Sequence, residues 1–231
     1  MSELPQENLK THVSIKGEEK KDLTWEERIP LRKDYAERFN LSEEEAEALD
    51  YYLFYLGLDV NDLVGKKVLD VGSGHGNFKK ALQKIVEIKD GEFVNFDVNI
   101  FAAELGETEQ ELDVSGAAET LPFKDESFDF VLANFSVPVM QFTGQELELI
   151  PKTLREMVRV VRGGGVIKIF PVGGEISTGS ISYDNAYSQL LSIVMTELKK
   201  ISLEKLLAEI KITKFSKEEG LYEVALQITK K

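Results

Sequence analysis

Residues 66–76 read Lys-Lys-Val-Leu-Asp-Val-Gly-Ser-Gly-His-Gly (KKVLDVGSGHG), and this stretch decides the fold. Val68, Leu69 and Val71 form a short apolar run of strand character, followed directly by Gly72, Gly74 and Gly76 at alternate positions. The next segment, NFKKALQKIVEI, spaces Phe78, Leu82, Ile85 and Val86 as one face of a helix. A strand, a glycine turn and a helix in this order let the backbone come close to a ligand, with helix N-terminal amides aimed into a crevice at the strand end. A dinucleotide fingerprint needs its third glycine three residues after the second; here Asn77 holds that position and Gly76 comes one residue earlier. Asp70 adds a carboxylate two residues before the first glycine, which would repel a pyrophosphate and suits a ligand carrying an amino group or a sulfonium.

Working outward, EFVNFDV reads as a second strand ending near Asp97, 25 residues after Gly72. An acid at that spacing reaches ribose hydroxyls from the neighbouring strand. One ligand satisfies both acids: an adenosine joined to a cationic amino-acid tail. EQELDVSG is a weaker strand, SFDFVLANF a stronger one, and VIKIF another. Between the last two, Pro151 opens a helix through Leu154, Met157, Val158 and Val161, and Gly163–Gly165 are expected to end it. Strands alternating with helices predict a parallel sheet covered on both faces.

The flanks read differently. Residues 1–24 are polar without a sustained period, so they read as an arm. Ser42 followed by Glu43, Glu44 and Glu45 is a helix start, and Ala48, Tyr51, Tyr52, Tyr55 and Leu58 continue its apolar face. The aromatic set Tyr51, Tyr52, Phe54 and Tyr55 is core by its spacing, with capping of a substrate pocket as the alternative. His75 lies inside the turn, where it suits a helix-start position rather than catalysis. Beyond a Gly- and Ser-rich loop, a helix is expected from about Asp184 to Lys200. A second short helix capped by Ser202 is expected through Leu203, Leu206, Leu207 and Ile210, and a hairpin closes the chain around a Lys-Glu-Glu-Gly turn. The division this suggests is residues 1–60 as arm and helical cap, and residues 61–231 as the ligand-binding domain.

Composition closes off other chemistries. There are no cysteines and only two histidines, which excludes disulfides, thiolate nucleophiles and a thiolate or multi-histidine metal centre. The net charge is −13, and residues 1–195 alone carry −15, so a polyanionic partner such as nucleic acid is repelled. No apolar run is long enough to span a membrane, and the first residues lack a signal-peptide pattern, so the chain reads as cytoplasmic. The sequence carries no sign of oligomeric state.

Four separated segments resemble the class I S-adenosylmethionine-dependent methyltransferases, in particular the small-domain type 11 group. VLDVGSGHG is similar to the family's first motif, Asp97 to its second-strand acid, GAAETLPFKDESFDFVLAN to its adenine-side loop and fourth strand, and LREMVRVVRGGGVIKIF to the helix and strand that follow. The resemblance covers about Lys66 to Phe170 and implies a Rossmann-like α/β fold. That fold has a seven-stranded, mostly parallel sheet, helices on both faces and an antiparallel C-terminal strand, preceded here by an N-terminal helical segment. It implies S-adenosylmethionine held by Asp70 and Gly72, Ser73, Gly74 and Gly76 at its methionine part, by Asp97 and Val98 at the ribose, and by Ala118 and Glu119 at the adenine. Asn134 would lie near the methyl group. No catalytic residue and no metal are implied. The chain reads Asn134-Phe135-Ser136-Val137-Pro138 where base-amine methyltransferases have Asn-Pro-Pro-Tyr, which argues against a nucleic-acid base as acceptor. The expected activity is methyl transfer to a small molecule. The alternatives are methylation of protein or RNA, a binding module without catalysis, and aminopropyl transfer from decarboxylated cofactor.

Overall fold

A computed structural model describes residues 25–98, 112–138, 140–141, 145–172, 174–175, 181–201, 206–214 and 222–231. The expected arm at 1–24, the cap at Ser202 and the final turn lie outside these residues.

The N-terminal segment forms α1 (Trp25–Phe39) and α2 (Glu43–Tyr55). Ser42 caps α2 as its sequence predicts: its hydroxyl accepts from the Glu45 backbone while the Glu45 carboxylate accepts from the Ser42 N–H. The two helices are joined through Asp50, which accepts from Arg28 at 2.7 Å and from Arg32 at 2.8 Å. A short α3 (Val60–Leu63) leads to β1 (Val68–Val71), α4 (Asn77–Ile85), β2 (Phe93–Asp97), β3 (Val114–Ser115) and a 3₁₀ turn at Ala118–Thr120. Then come β4 (Phe128–Asn134), α5 (Ile150–Val160), β5 (Val161–Phe170), β6 (Gly174–Glu175), α6 (Ile181–Lys200), β7 (Leu206–Lys214) and β8 (Tyr222–Lys230).

The sheet runs β3-β2-β1-β4-β5-β8, the first five strands parallel and β8 antiparallel to β5. Strand order reverses between β1 and β4, which opens a crevice at the carboxyl end of β1. Alternation along each strand sends Leu69, Val71, Val131 and Ala133 to one face and Val68 and Leu132 to the other. The first face packs against Leu154 and Met157 of α5 and Leu190 and Val194 of α6; the second packs against Tyr52 and Leu53 of α2 and Phe78 and Leu82 of α4. The fold is therefore α/β and Rossmann-like, with a mostly parallel sheet between helical layers.

Three expectations need correction. Among the described residues the sheet has eight strand segments rather than seven. β7 pairs with β8 along its whole length, so β6 must lie on the other edge of β8, beyond β5, where the chain has broken pairing at Pro171. Gly163–Gly165 do not end the preceding helix: α5 stops at Val160 and the glycines sit inside β5 as an irregularity opposite Phe128–Phe130. A Cβ on Gly165 would stand 2.8 Å from the Asp129 carbonyl, so the close approach of β4 sets that glycine. Residues 206–210 are strand rather than helix, because nine register pairs with β8 outweigh a helical spacing that a buried strand can also display.

α2 is tied to the sheet at its end as well as along its face. Lys168 of β5, largely buried, donates to the carbonyls of Leu56 at 2.7 Å and Gly57 at 3.0 Å, placing a cation at the negative end of the helix. One core thus runs from Tyr35 through the α2 aromatics to Phe93 and Leu132, across residue 60.

Candidate cofactor site

β1 delivers Gly72 to the crevice with φ +76, and Gly74 and Gly76 follow at +56 and +70. Left-handed backbone of this kind favours glycine. Gly72 has a second reason: a Cβ there would lie 2.2 Å from Cβ of Ser136, the residue whose hydroxyl donates to the Val71 carbonyl at 2.6 Å. At Gly74 the space is open. Gly76 is the residue from which α4 starts, without a side-chain cap.

Asp97 ends β2 and turns toward this loop. Its carboxylate accepts from the N–H of Gly74 at 2.7 Å and of Val98 at 2.6 Å. Burial pushes its pKa above the ordinary carboxylate value, while those two N–H groups hold it back down. A cleft of about 250 Å³ opens here, lined among others by Gly72, Gly74, Asp97, Val98, Gly116 and Ala118. Two polar atoms close to it are buried with no partner: the Ser73 hydroxyl and Oδ1 of Asn134. A larger cleft of about 520 Å³ between α1 and α2 contains no glycine-loop residue and none from the carboxyl edge of the sheet.

Residues 69–169 match the family model described as a methyltransferase domain. That match covers the strands and helices that build the cleft. A phthiotriol/phenolphthiotriol dimycocerosates methyltransferase of Mycobacterium leprae is 29% identical to it over 59% of this chain and 49% of its own length. A ubiquinone/menaquinone biosynthesis C-methyltransferase of Haemophilus ducreyi is 31% identical over 54% of this chain and 48% of its own. The chain therefore spans about half the length of these relatives. Among solved structures, an S-adenosylmethionine-dependent methyltransferase of Corynebacterium glutamicum matches 87% of this chain and 99% of its own, with 16% identity and a TM-score of 0.46.

In the structure the ten residues expected around the cofactor separate into groups. Gly72, Gly74, Asp97, Val98 and Ala118 share the cleft lining. Ser73 stands between the first two, Asn134 closes β4, and Gly76 and the half-buried Glu119 lie beyond the lining. Asp70 is elsewhere. It is fully buried beneath α2, and both its oxygens face the Tyr52 hydroxyl, at 2.9 and 2.8 Å. Burial raises the Asp70 pKa to about 7, with the Tyr52 hydrogen bond pulling it down and the Asp97 charge adding to the rise. Tyr52 in turn stacks on Phe78, in the first turn of α4, at 3.9 Å. Asp70 and Tyr52 therefore brace the glycine turn from behind. The aromatic set is accordingly core, as its spacing indicates, but one member holds a carboxylate.

The lining also includes Phe135, Val137 and Met140, which no sequence motif marks. Phe135 takes a left-handed backbone at φ +50, which a phenylalanine in a sequence does not announce. Among the described residues no group of acids and histidines could hold a metal ion, and no helix is long and apolar enough to cross a membrane.

Proposed function

We propose that this chain transfers a methyl group from S-adenosylmethionine to a small-molecule acceptor at the cleft between the glycine turn and Asp97. The observation that carries this reading is the hydrogen bond from the Gly74 N–H to Asp97, which joins the turn after β1 and the acid after β2 into one rim. The residues fit the cofactor. Gly72 and Gly74 allow close backbone approach; Asp97 keeps lone pairs for ribose hydroxyls; Val98 and Ala118 offer apolar surface to the adenine, with Glu119 at its margin. The partnerless Ser73 hydroxyl and Asn134 Oδ1 supply hydrogen-bonding capacity toward the amino-acid tail. Asp70 serves as a buried support and not as a direct ligand.

When bound, S-adenosylmethionine supplies an electrophilic methyl group on a positively charged sulfur. The chain's own residues then bind, orient and exclude water, and orientation of this kind accounts for much of the rate in such transfers. A base is needed only where the acceptor atom carries a proton at working pH. A small acceptor is supported by the charge of −15 over residues 1–195 and by the relatives, whose names specify phthiotriol or phenolphthiotriol dimycocerosates and ubiquinone or menaquinone biosynthesis. Titration calorimetry should show S-adenosylmethionine and S-adenosylhomocysteine competing for one site, in preference to a nicotinamide dinucleotide. Asp97→Ala should weaken both by roughly ten- to hundredfold, the loss of hydrogen bonds to a charged acceptor. Incubation with methyl-labelled cofactor should label a small-metabolite fraction. Label in RNA or total protein would refute the acceptor class, and intact binding without any transfer would favour a binding module.

A further inference from the structure

Glu156 and Arg159 lie three residues apart on α5, so both project from one face of the helix, toward the segment that precedes β4. A guanidinium has five N–H groups, and at Arg159 each one has an acceptor. Nε donates to Glu156 at 2.8 Å, and Nη2 donates to Glu156 at 2.7 Å and to the Leu121 carbonyl at 2.9 Å. Nη1 donates to the Phe123 carbonyl at 2.7 Å and to Asp125 at 2.8 Å. Glu156 in turn accepts from the Leu121 N–H at 2.9 Å, so one ion pair holds both backbone polar groups of Leu121. The hydrogen bond from Arg159 keeps the Glu156 carboxyl below the ordinary carboxylate range, which leaves the pair ionised at neutral pH. The chain returning to β4 is hooked to the same helix end: the N–H groups of Glu126 and Ser127 donate to the carbonyls of Arg159 and Val160, at 3.0 and 2.8 Å.

The segment held in this way is a wall of the cofactor cleft. Leu121 follows directly on the 3₁₀ turn at Ala118–Thr120, and Gly116 and Ala118 line the cleft. At its other end the segment is fixed by the Gly116 N–H, which donates to the Asp97 carbonyl at 3.0 Å. Residues 116–121 therefore hang between Asp97 on β2 and the ion pair on α5. Phe123 adds a second line of contact. Its ring meets the ring of Phe96, another lining residue, at 5.9 Å and 67°, and that of Phe128 at 5.0 Å and 89°. A Cβ on Gly116 would stand 3.2 Å from two atoms of the Phe96 ring, so ring and backbone are already in close approach. Neither Glu156 nor Arg159 lines the cleft itself.

We infer that Arg159, with Glu156, is the positioning residue for the adenine side of the cleft, fixing the wall at Gly116 and Ala118 from behind and setting affinity for the base of the cofactor; this rests on the methyl-transfer reading above. A wall ordered before the ligand arrives adds no ordering cost to binding. The amino-acid tail is served by the glycine turn instead, and all five Arg159 N–H groups are occupied by Glu156 and residues 121–125. Lysine cannot take over this role, because its three donors radiate from one atom and do not form the planar fork that reaches two carbonyls and two carboxylates.

The test compares S-adenosylhomocysteine with S-ribosylhomocysteine, the same molecule with a hydroxyl in place of the base. Calorimetry on the full chain reads the first directly and the second by competition at millimolar concentration. Arg159→Lys should weaken S-adenosylhomocysteine about tenfold and leave S-ribosylhomocysteine within about twofold. Glu156→Gln keeps the side-chain volume and one acceptor for the Leu121 N–H, and should shift the same ratio about threefold. It carries the comparison where Arg159→Lys does not fold. A pair that only stabilised the fold would weaken both ligands by one factor or leave both unchanged, and either result would overturn the inference. Failure of S-adenosylhomocysteine to bind the unaltered chain would instead overturn the methyl-transfer reading beneath it.

Discussion

Removing one hydroxyl, by Tyr52→Phe, tests how the N-terminal helices support the glycine turn. The phenol proton is shared between both Asp70 oxygens, at 2.9 and 2.8 Å, and neither residue reaches solvent at that point. A buried hydrogen bond to a charged group is worth about 1.5–3 kcal/mol, and one to a neutral carboxyl about 1 kcal/mol. Which value applies depends on pH. Asp70 loses its proton near its ordinary 3.8 in the unfolded chain and at about 7 in the folded one. Between those values the folded state binds more protons, so Asp70 lowers stability as pH rises through this window. Tyr52 is the influence that pulls the folded value down; without it the value rises further and the loss continues above 7. The deficit of Tyr52→Phe should therefore be about 1 kcal/mol at about pH 5 and grow to about 1.5–3 kcal/mol at about pH 8.5. Urea unfolding of both proteins at the two pH values measures it. A deficit that does not change with pH, or none at pH 8.5, would show that the hydroxyl does not bear on an ionised Asp70.

Two further outcomes follow from packing. Gly72→Ala and Gly74→Ala both force a side chain into left-handed backbone, at about 1–2 kcal/mol each, but only the first also collides with Ser136. Gly72→Ala should lose about 2–4 kcal/mol in all and exceed Gly74→Ala in the same urea measurement; equal losses would contradict the close approach at Ser136. Asp50→Ala strips Arg28 and Arg32 of a shared, buried carboxylate and should lose about 3–5 kcal/mol by thermal or urea unfolding. Arg32→Ala leaves Arg28 on Asp50 and should lose clearly less.

What the sequence determined was local or periodic. The glycine spacing after β1 needs only the steric freedom of Gly72, Gly74 and Gly76, and Asp97 follows at a fixed distance, so the crevice was legible from residues 66–98. The Ser42 cap and the alternation of strand and helix were legible for the same reason, because each is set by neighbours in the chain. Tertiary structure decided whatever depends on a distant partner. Asp70 has the spacing of a ligand-facing acid, but Tyr52, 18 residues upstream, claims both its oxygens and takes it out of the cleft. Leu206 to Ile210 has a helical pattern, but β8 offers it a full ladder of hydrogen bonds. Phe135 carries no motif at all: its place at the mouth comes from the Phe170 carbonyl and two aromatic edges that only the folded sheet brings to it. Burial and hydrogen bonding between remote residues set these outcomes, and neither is encoded at any one position.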